Sequence, residues 1–256
     1  MTALEIFPLP AFEDNYIWCL RRAGRVAVID PGDARPVLQY LKQSGDRLCA
    51  ILVTHHHHDH IDGVAELAAH QPVPVFAPGA EAIPGTSQAV AGGDRVALPE
   101  LGIEFDVLDF TGHTRGHVGY YRPGALFCGD TLFGCGCGRL FEGTPAQLHD
   151  ALQRIGVLPP LTLAYCAHEY TASGIRFASA VEPGNAAIAT RGAEVARLRS
   201  AGQPTVPFTV ADELATNPFL RCREPEVIHA ISMRLHRAPA DELEVFAALR
   251  AWRDHF

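Results

Sequence analysis

Four times in this chain a short apolar run ends on a residue that can ligate a metal. "ILVT" ends before His55, "VLDFTG" before His113, "LFCG" before Asp130 and "LAYCA" before His168. Runs of this length and composition read as buried strands. Ligands placed at strand ends converge at one edge of a sheet, a common place for an active site. The pattern therefore restricts the chain to folds in which these four ends meet.

The first of the four opens the run "HHHHDH" at residues 55–60. Imidazole nitrogen and carboxylate oxygen are the ligands that zinc and similar ions prefer. Adjacent side chains cannot all converge, because alternate residues of an extended segment point the same way. His55 and His57 then share one ion, and Asp59 with His60, at the turn into "IDGVAEL", faces a second, leaving His56 and His58 as spacers. Purification tags sit at termini and lack an interspersed aspartate. The carboxylate of Asp130 can bridge two cations. His117 lies four residues after His113 in a glycine-flanked loop and reads as a support rather than a ligand. Asp30, in "VIDPGD", reads equally well as a turn cap and as a partner that orients a ligand. His70, His149, His229, His236 and His255 stand alone in helical or surface contexts.

Strands are expected at "RVAVID" (25–30), "CAILVT" (49–54), "VPVFA" (73–77), "GIEFDVLDF" (102–110), "ALFCGD" (125–130) and "LTLAYCA" (161–167). Helices interrupt them. "DARPVLQYLKQSG" has an early proline and a closing glycine, and "GTPAQLHDALQRIG" has a threonine cap, proline at its first position, and Leu148, Leu152 and Ile155 on one face. The interleaving predicts an α/β layered domain over 1–170. Beyond residue 171 the strand signals fade, and four stretches read as helices, so 171–256 is expected to be a small α-helical region.

The chain has 256 residues and a formal net charge of −8, which argues against nucleic acid or an anionic membrane as partner. An anionic ligand must therefore be met by local basic residues. No apolar run approaches the roughly 20 residues that span a bilayer, and the N-terminus lacks signal-peptide features. Seven cysteines at irregular spacing read as reduced, buried thiols of a cytoplasmic protein. "CGCG" at 135–138 is not the paired C-x-x-C of a zinc ribbon.

In "THHHHDHIDG", "FTGHTRGH", "FCGDTLFGCGCGRLFEGT", "CAHEYT" and the ending "LRAWRDHF", the chain resembles the glyoxalase II (hydroxyacylglutathione hydrolase) family of the metallo-β-lactamase superfamily. The likeness runs from "DNYIW" (14–18) to the C-terminus. It implies an αββα sandwich followed by an α-helical domain. It also implies one ion on His55, His57 and His113 and another on Asp59, His60 and His168, with Asp130 between them. The ions are divalent, zinc first, with iron or manganese as alternatives. Substrate contacts fall on Arg139, Tyr170, Arg250 and Arg253, and on Phe141, where the family often has tyrosine.

The last helix can be read without the family. Val245, Leu249, Trp252 and Phe256 form an apolar stripe with Phe246 beside it, and Arg250 and Arg253 lie on its flank. Such a pair is either a solvated face or a carboxylate clamp. A monomer is expected, and the resemblance implies hydrolysis of glutathione thioesters such as S-D-lactoylglutathione, the second step of methylglyoxal detoxification. A two-metal centre lowers the pKa of a shared water and so removes the need for a serine or cysteine nucleophile. Asp59 and Asp130 are the carboxylates expected to take part. The competing readings are another enzyme of the superfamily, such as a single-iron persulfide dioxygenase, and a metal-storage protein.

Overall fold

In the computed structural model, which describes residues 2–256, the first strand, β1 (Glu5–Ala11), carries Pro8 and Pro10. It stands at a sheet edge, where a missing N–H breaks no ladder. The sheet runs β1-β2-β3-β4-β5-β6, with β2 (Asn15–Arg22), β3 (Arg25–Ile29), β4 (Arg47–Leu52), β5 (Val75–Pro78) and β6 (Gln88–Val90). The first three strands are antiparallel and the last four parallel. Parallel neighbours need crossovers. Helix α1 (Ala34–Ser44) joins β3 to β4; short α2 (His58–Ile61) and α3 (Val64–His70) join β4 to β5. Val37, Leu41, Val64 and Leu67 of these helices pack with Val26, Val28, Ile51 and Val75 of the sheet.

The ends of α1 are set locally. Asp33 caps its N-terminus by accepting from Arg35 N, and Gly45, at φ 74°, closes its C-terminus in the left-handed region that the expected glycine supplies. Gly32 answers a different demand. A Cβ there would lie 1.8 Å from the carbonyl oxygen of Asp59, so only glycine lets the turn after β3 pass the histidine run.

A second sheet carries β7 (Arg95–Leu98), β8 (Ile103–Asp109), β9 (Val118–Arg122) and β10 (Ala125–Gly129) in the order β10-β9-β8-β7. It is tied to the first by buried Tyr120, whose hydroxyl donates to Val53 O (2.8 Å) and Phe76 O (3.2 Å), and by Val118 N donating to Thr54 O (2.9 Å). Helices, the first sheet and the second sheet thus form successive layers in one compact unit, made of the chain through Phe110 and of Thr114–Gly129.

The other unit comprises Thr111–His113 and Asp130–Phe256, a division that lies upstream of the change in sequence pattern at residue 171. A two-stranded ribbon, β11 (Leu132–Phe133) and β12 (Gly136–Cys137), precedes α4 (Pro145–Gly156). Thr144 caps α4 and forms a capping box with Gln147; Leu148, Leu152 and Ile155 are its buried face, as expected. Then come β13 (Leu163–Cys166), α5 (Thr171–Val181), α6 (Ala186–Ser200), β14 (Phe208–Thr209), α7 (Val210–Thr216), a 3-10 turn (Pro218–Leu220), α8 (Pro225–Leu235) and α9 (Glu242–Arg253). The rings of Phe177, Phe219 and Phe246 pack 5.7–5.8 Å apart in this core. In α9, Val245, Phe246 and Leu249 are buried, whereas Phe256 beyond it is exposed. Of the two readings of the arginine pair, the solvated face does not hold for Arg250. It is 6% exposed, not on a solvated flank, because backbone carbonyls of the β12 segment replace water as its acceptors. Among the described residues no helix is long and apolar enough to cross a membrane.

Two glycine substitutions should separate close approach from backbone handedness. Gly45→Ala, with open space around it, should cost about 1 kcal/mol. Gly32→Ala must displace backbone and should cost roughly 2 kcal/mol or more. Denaturant midpoints of the two variants check the order; equal losses would contradict it.

Candidate metal centre and cleft

The histidine run leaves β4 in an extended path and turns helical at His58, with His57 at φ −63°, ψ 143° as the residue before α2. The change of conformation decides where each side chain goes. His55 Nε2 and His57 Nδ1 lie 3.1 Å apart. Two nitrogens on one tetrahedral ion, each about 2.0–2.1 Å from it, sit roughly 3.3 Å apart. His60 comes off the first helical turn, and its ring lies 4.0 Å from that of His55, centroid to centroid. Asp59 Oδ2 lies 3.6 Å from His60 Nε2. His58 is almost wholly exposed, facing Asp62, and His56 Nδ1 faces Glu81 at 2.9 Å. The two spacer positions are thus engaged with other partners.

One buried carboxylate orders this cluster of the first unit. Asp30 accepts from Thr54 N (2.7 Å) and Thr54 Oγ1 (2.8 Å), and its Oδ2 lies 3.1 Å from His60 Nδ1. Thr54 Oγ1 in turn lies 3.0 Å from His55 Nδ1. With Nδ1 of both rings turned to oxygen, Nε2 is the atom presented for coordination, the arrangement that fixes tautomer and orientation in metal-ligating histidines. Asn15, buried at the start of β2, donates from Nδ2 to Asp59 Oδ2 at 2.9 Å. His117 stacks on His55, ring centroids 4.7 Å apart and planes 24° from parallel. Glu81 closes the surrounding loops, accepting from Gly116 N at 2.9 Å and from the Thr114 hydroxyl.

The second unit holds the other three expected donors. Asp130 Oδ2 is 3.5 Å from His113 Nε2, and its Oδ1 is 3.5 Å from His168 Nε2. One carboxylate therefore presents a separate oxygen to each imidazole. His113 Nδ1 donates to the Arg139 carbonyl at 2.8 Å, again leaving Nε2 toward the carboxylate. His168 stacks on Tyr170 (4.7 Å, 7°), and Phe133 packs edge-on to both rings. Imidazole and carboxylate oriented by further hydrogen bonds are a donor set that fits divalent cations.

His113 and Asp130 also line a cleft of about 350 Å³, together with Phe133, Cys137, Arg139, Phe141, Tyr170, Arg250 and Arg253. Phe141 is exposed and sets its ring edge against His113 (5.3 Å, 84°). Arg250 Nη1 donates to Cys137 O (2.9 Å) and Gly138 O (3.3 Å). Arg253 Nη2 donates to Ser173 Oγ at 2.7 Å. Burial, then the charges of Arg250 and Arg176, hold the Arg253 pKa below its usual value. Burial raises the Cys137 thiol above its usual pKa.

Sequence reasoning missed Asn15, Glu81 and Ser173 and left Asp30 undecided. Asn15 had a signal, a polar residue opening an otherwise apolar strand; Glu81 had none.

The chain matches the model of the metallo-beta-lactamase superfamily over residues 12–168 and that of the hydroxyacylglutathione hydrolase C-terminus over residues 169–256. A relative named hydroxyacylglutathione hydrolase, from Dechloromonas aromatica (strain RCB), is 53% identical over 266 aligned positions, covering 99% of this chain and 100% of that protein. Among solved structures, ETHE1 from Myxococcus xanthus has a TM-score of 0.66 at 25% identity, covering 98% of each chain. TTHA1623 in a di-iron-bound form has a TM-score of 0.55 at 28% identity, over 63% of this chain and 91% of its own. The fold is the one expected, a metallo-β-lactamase-like α/β sandwich followed by a helical C-terminal region.

Metal analysis after a mild chelator wash should distinguish ligands from spacers. Asp130→Asn should lose bound metal, His56→Ala should keep it, and Asp30→Asn should weaken retention by about 10- to 100-fold, as expected when a ligand's orienting partner is disturbed. Equal losses in the three would contradict the division drawn above.

Proposed function

Because the chain belongs to the hydroxyacylglutathione hydrolase family of the metallo-β-lactamase superfamily, we infer that it hydrolyses the thioester of a 2-hydroxyacylglutathione. The products are glutathione and the hydroxy acid. S-D-lactoylglutathione is the proposed substrate, which would make this the second step of methylglyoxal detoxification. The observation that carries the reading is Asp130, flanked by His113 and His168, in the same cleft as Arg139, Arg250 and Arg253. Side chains able to ligate a cation and side chains able to pair with an anion share one cavity, which supports the reading.

On the strength of the family membership we propose two ions per chain, one on His55, His57 and His113 and one on Asp59, His60 and His168, with Asp130 shared. Zinc is proposed first, and the di-iron form of a related structure keeps iron in view. When bound, the ions would supply a water of lowered pKa and a Lewis acid for the thioester carbonyl. The protein's own part is orientation. Asn15 fixes the rotamer of Asp59, which is proposed to accept the proton of the attacking water. Arg139, Arg250 and Arg253 bind the carboxylates of the tripeptide, an anion that a chain of net charge −8 can hold only at a local basic site. Phe141 and Tyr170 pack against the bound peptide. The leaving thiol has a pKa of about 8.5, so its departure needs no strong general acid. Seven free, buried cysteines suit a reducing compartment, and the cytoplasm is the proposed location.

Release of thiol from S-D-lactoylglutathione, followed beside a chromogenic β-lactam with and without chelator, tests the reaction. Turnover of the thioester alone, lost on chelation, is expected; turnover of the lactam alone would overturn the reading. Metal analysis at two ions per chain separates it from a single-iron dioxygenase. Arg253→Ala should raise KM about tenfold with kcat nearly unchanged, because uniform binding is lost away from the chemistry. An unchanged KM would remove Arg253 from the clamp.

A further inference from the structure

Asp254 Oδ1 lies 3.3 Å from Arg139 Nε and 3.0 Å from Arg250 Nη2. Both arginines line the cleft that the proposed function gives to the glutathione portion of the substrate. Asp254 is the C-cap of α9. A carboxylate there faces the negative end of the helix dipole, where its charge is unfavourable. The two guanidiniums compensate.

The two arginines differ in freedom. Arg250 is buried and already donates Nη1 to two backbone carbonyls, so it is fixed. The Arg139 side chain is 59% exposed and can change partner at little cost. Arg253 adds a third cation to the same wall. Three guanidiniums thus line the cleft, and behind the lining a carboxylate of the chain's own pairs with two of them.

We propose that Asp254 is a competing carboxylate that sets how tightly the cleft holds the anionic end of substrate and product. It occupies Arg139 until a carboxylate of the bound peptide takes that guanidinium. One ion pair opens as another forms, so the net gain on binding is small and the product peptide leaves readily. This interaction is the same for substrate and transition state, so it acts on KM and not on the chemical step. The inference rests on the glutathione reading of the cleft.

The test compares the metal-loaded wild type with Asp254→Asn, using S-D-lactoylglutathione, its glutathione-dimethyl ester, and S-methylglutathione as a non-hydrolysable ligand. Asp254→Asn should lower KM for the anionic thioester and Kd for S-methylglutathione by about three- to tenfold at low salt. The gain should shrink as salt rises. kcat, metal content and KM for the dimethyl ester should not change. A KM and Kd that stay level or rise in Asp254→Asn would overturn the proposal, as would an equal gain for the dimethyl ester. Asp254→Ala, which cannot pair at all, should move in the same direction. If wild type hydrolysed neither thioester, the proposed reaction would fall, while calorimetry with S-methylglutathione would still decide the role of Asp254.

Discussion

The first unit is organised around one desolvated carboxylate. Asp30 is 4% exposed and sits at φ 53°, in the left-handed region that non-glycine residues seldom occupy. A buried carboxylate without donors would be costly. Here it faces the Thr54 amide, the Thr54 hydroxyl and His60 Nδ1, which come from the end of β4 and from α2. Once Thr54 and His60 are held, His55 follows through the Thr54 hydroxyl. The scaffold itself therefore orients the imidazoles. The unusual backbone of Asp30 is tolerated because so many hydrogen-bonding groups depend on it.

The sequence made the donors legible for a simple reason. Coordinating residues must end up at the rim of a core, and the core strands that carry them are recognisable by composition. Hence His55, His113, Asp130 and His168 could be read at the ends of apolar runs. The helix caps Asp33 and Thr144 were legible because capping is local chemistry. The N-terminal ribbon was harder to read. Pro8 and Pro10 obscure β1, and only the edge position, a fact of tertiary structure, makes them acceptable. The short α7 and β14 lack the length over which a period can be seen.

Residues that act on the donors from outside were the least legible. Asn15 and Glu81 reach their partners over 44 and 35 residues of sequence. Nothing local marks such pairings. The burial of Arg250 was hidden for a related reason. An arginine beside an apolar stripe looks solvated until another segment brings carbonyl oxygens to it, and those of Cys137 and Gly138 lie more than a hundred positions away.

That burial has a consequence for what position 250 can be. The guanidinium is a planar fork, and three acceptors from two segments, Cys137 O and Gly138 O on one side and Asp254 Oδ1 on the other, use its two ends at once. A lysine would bring the same charge on a single nitrogen and could not span them. Position 250 therefore also works as a bracket joining the last helix to the ribbon, a role that needs the shape of the fork in addition to its charge.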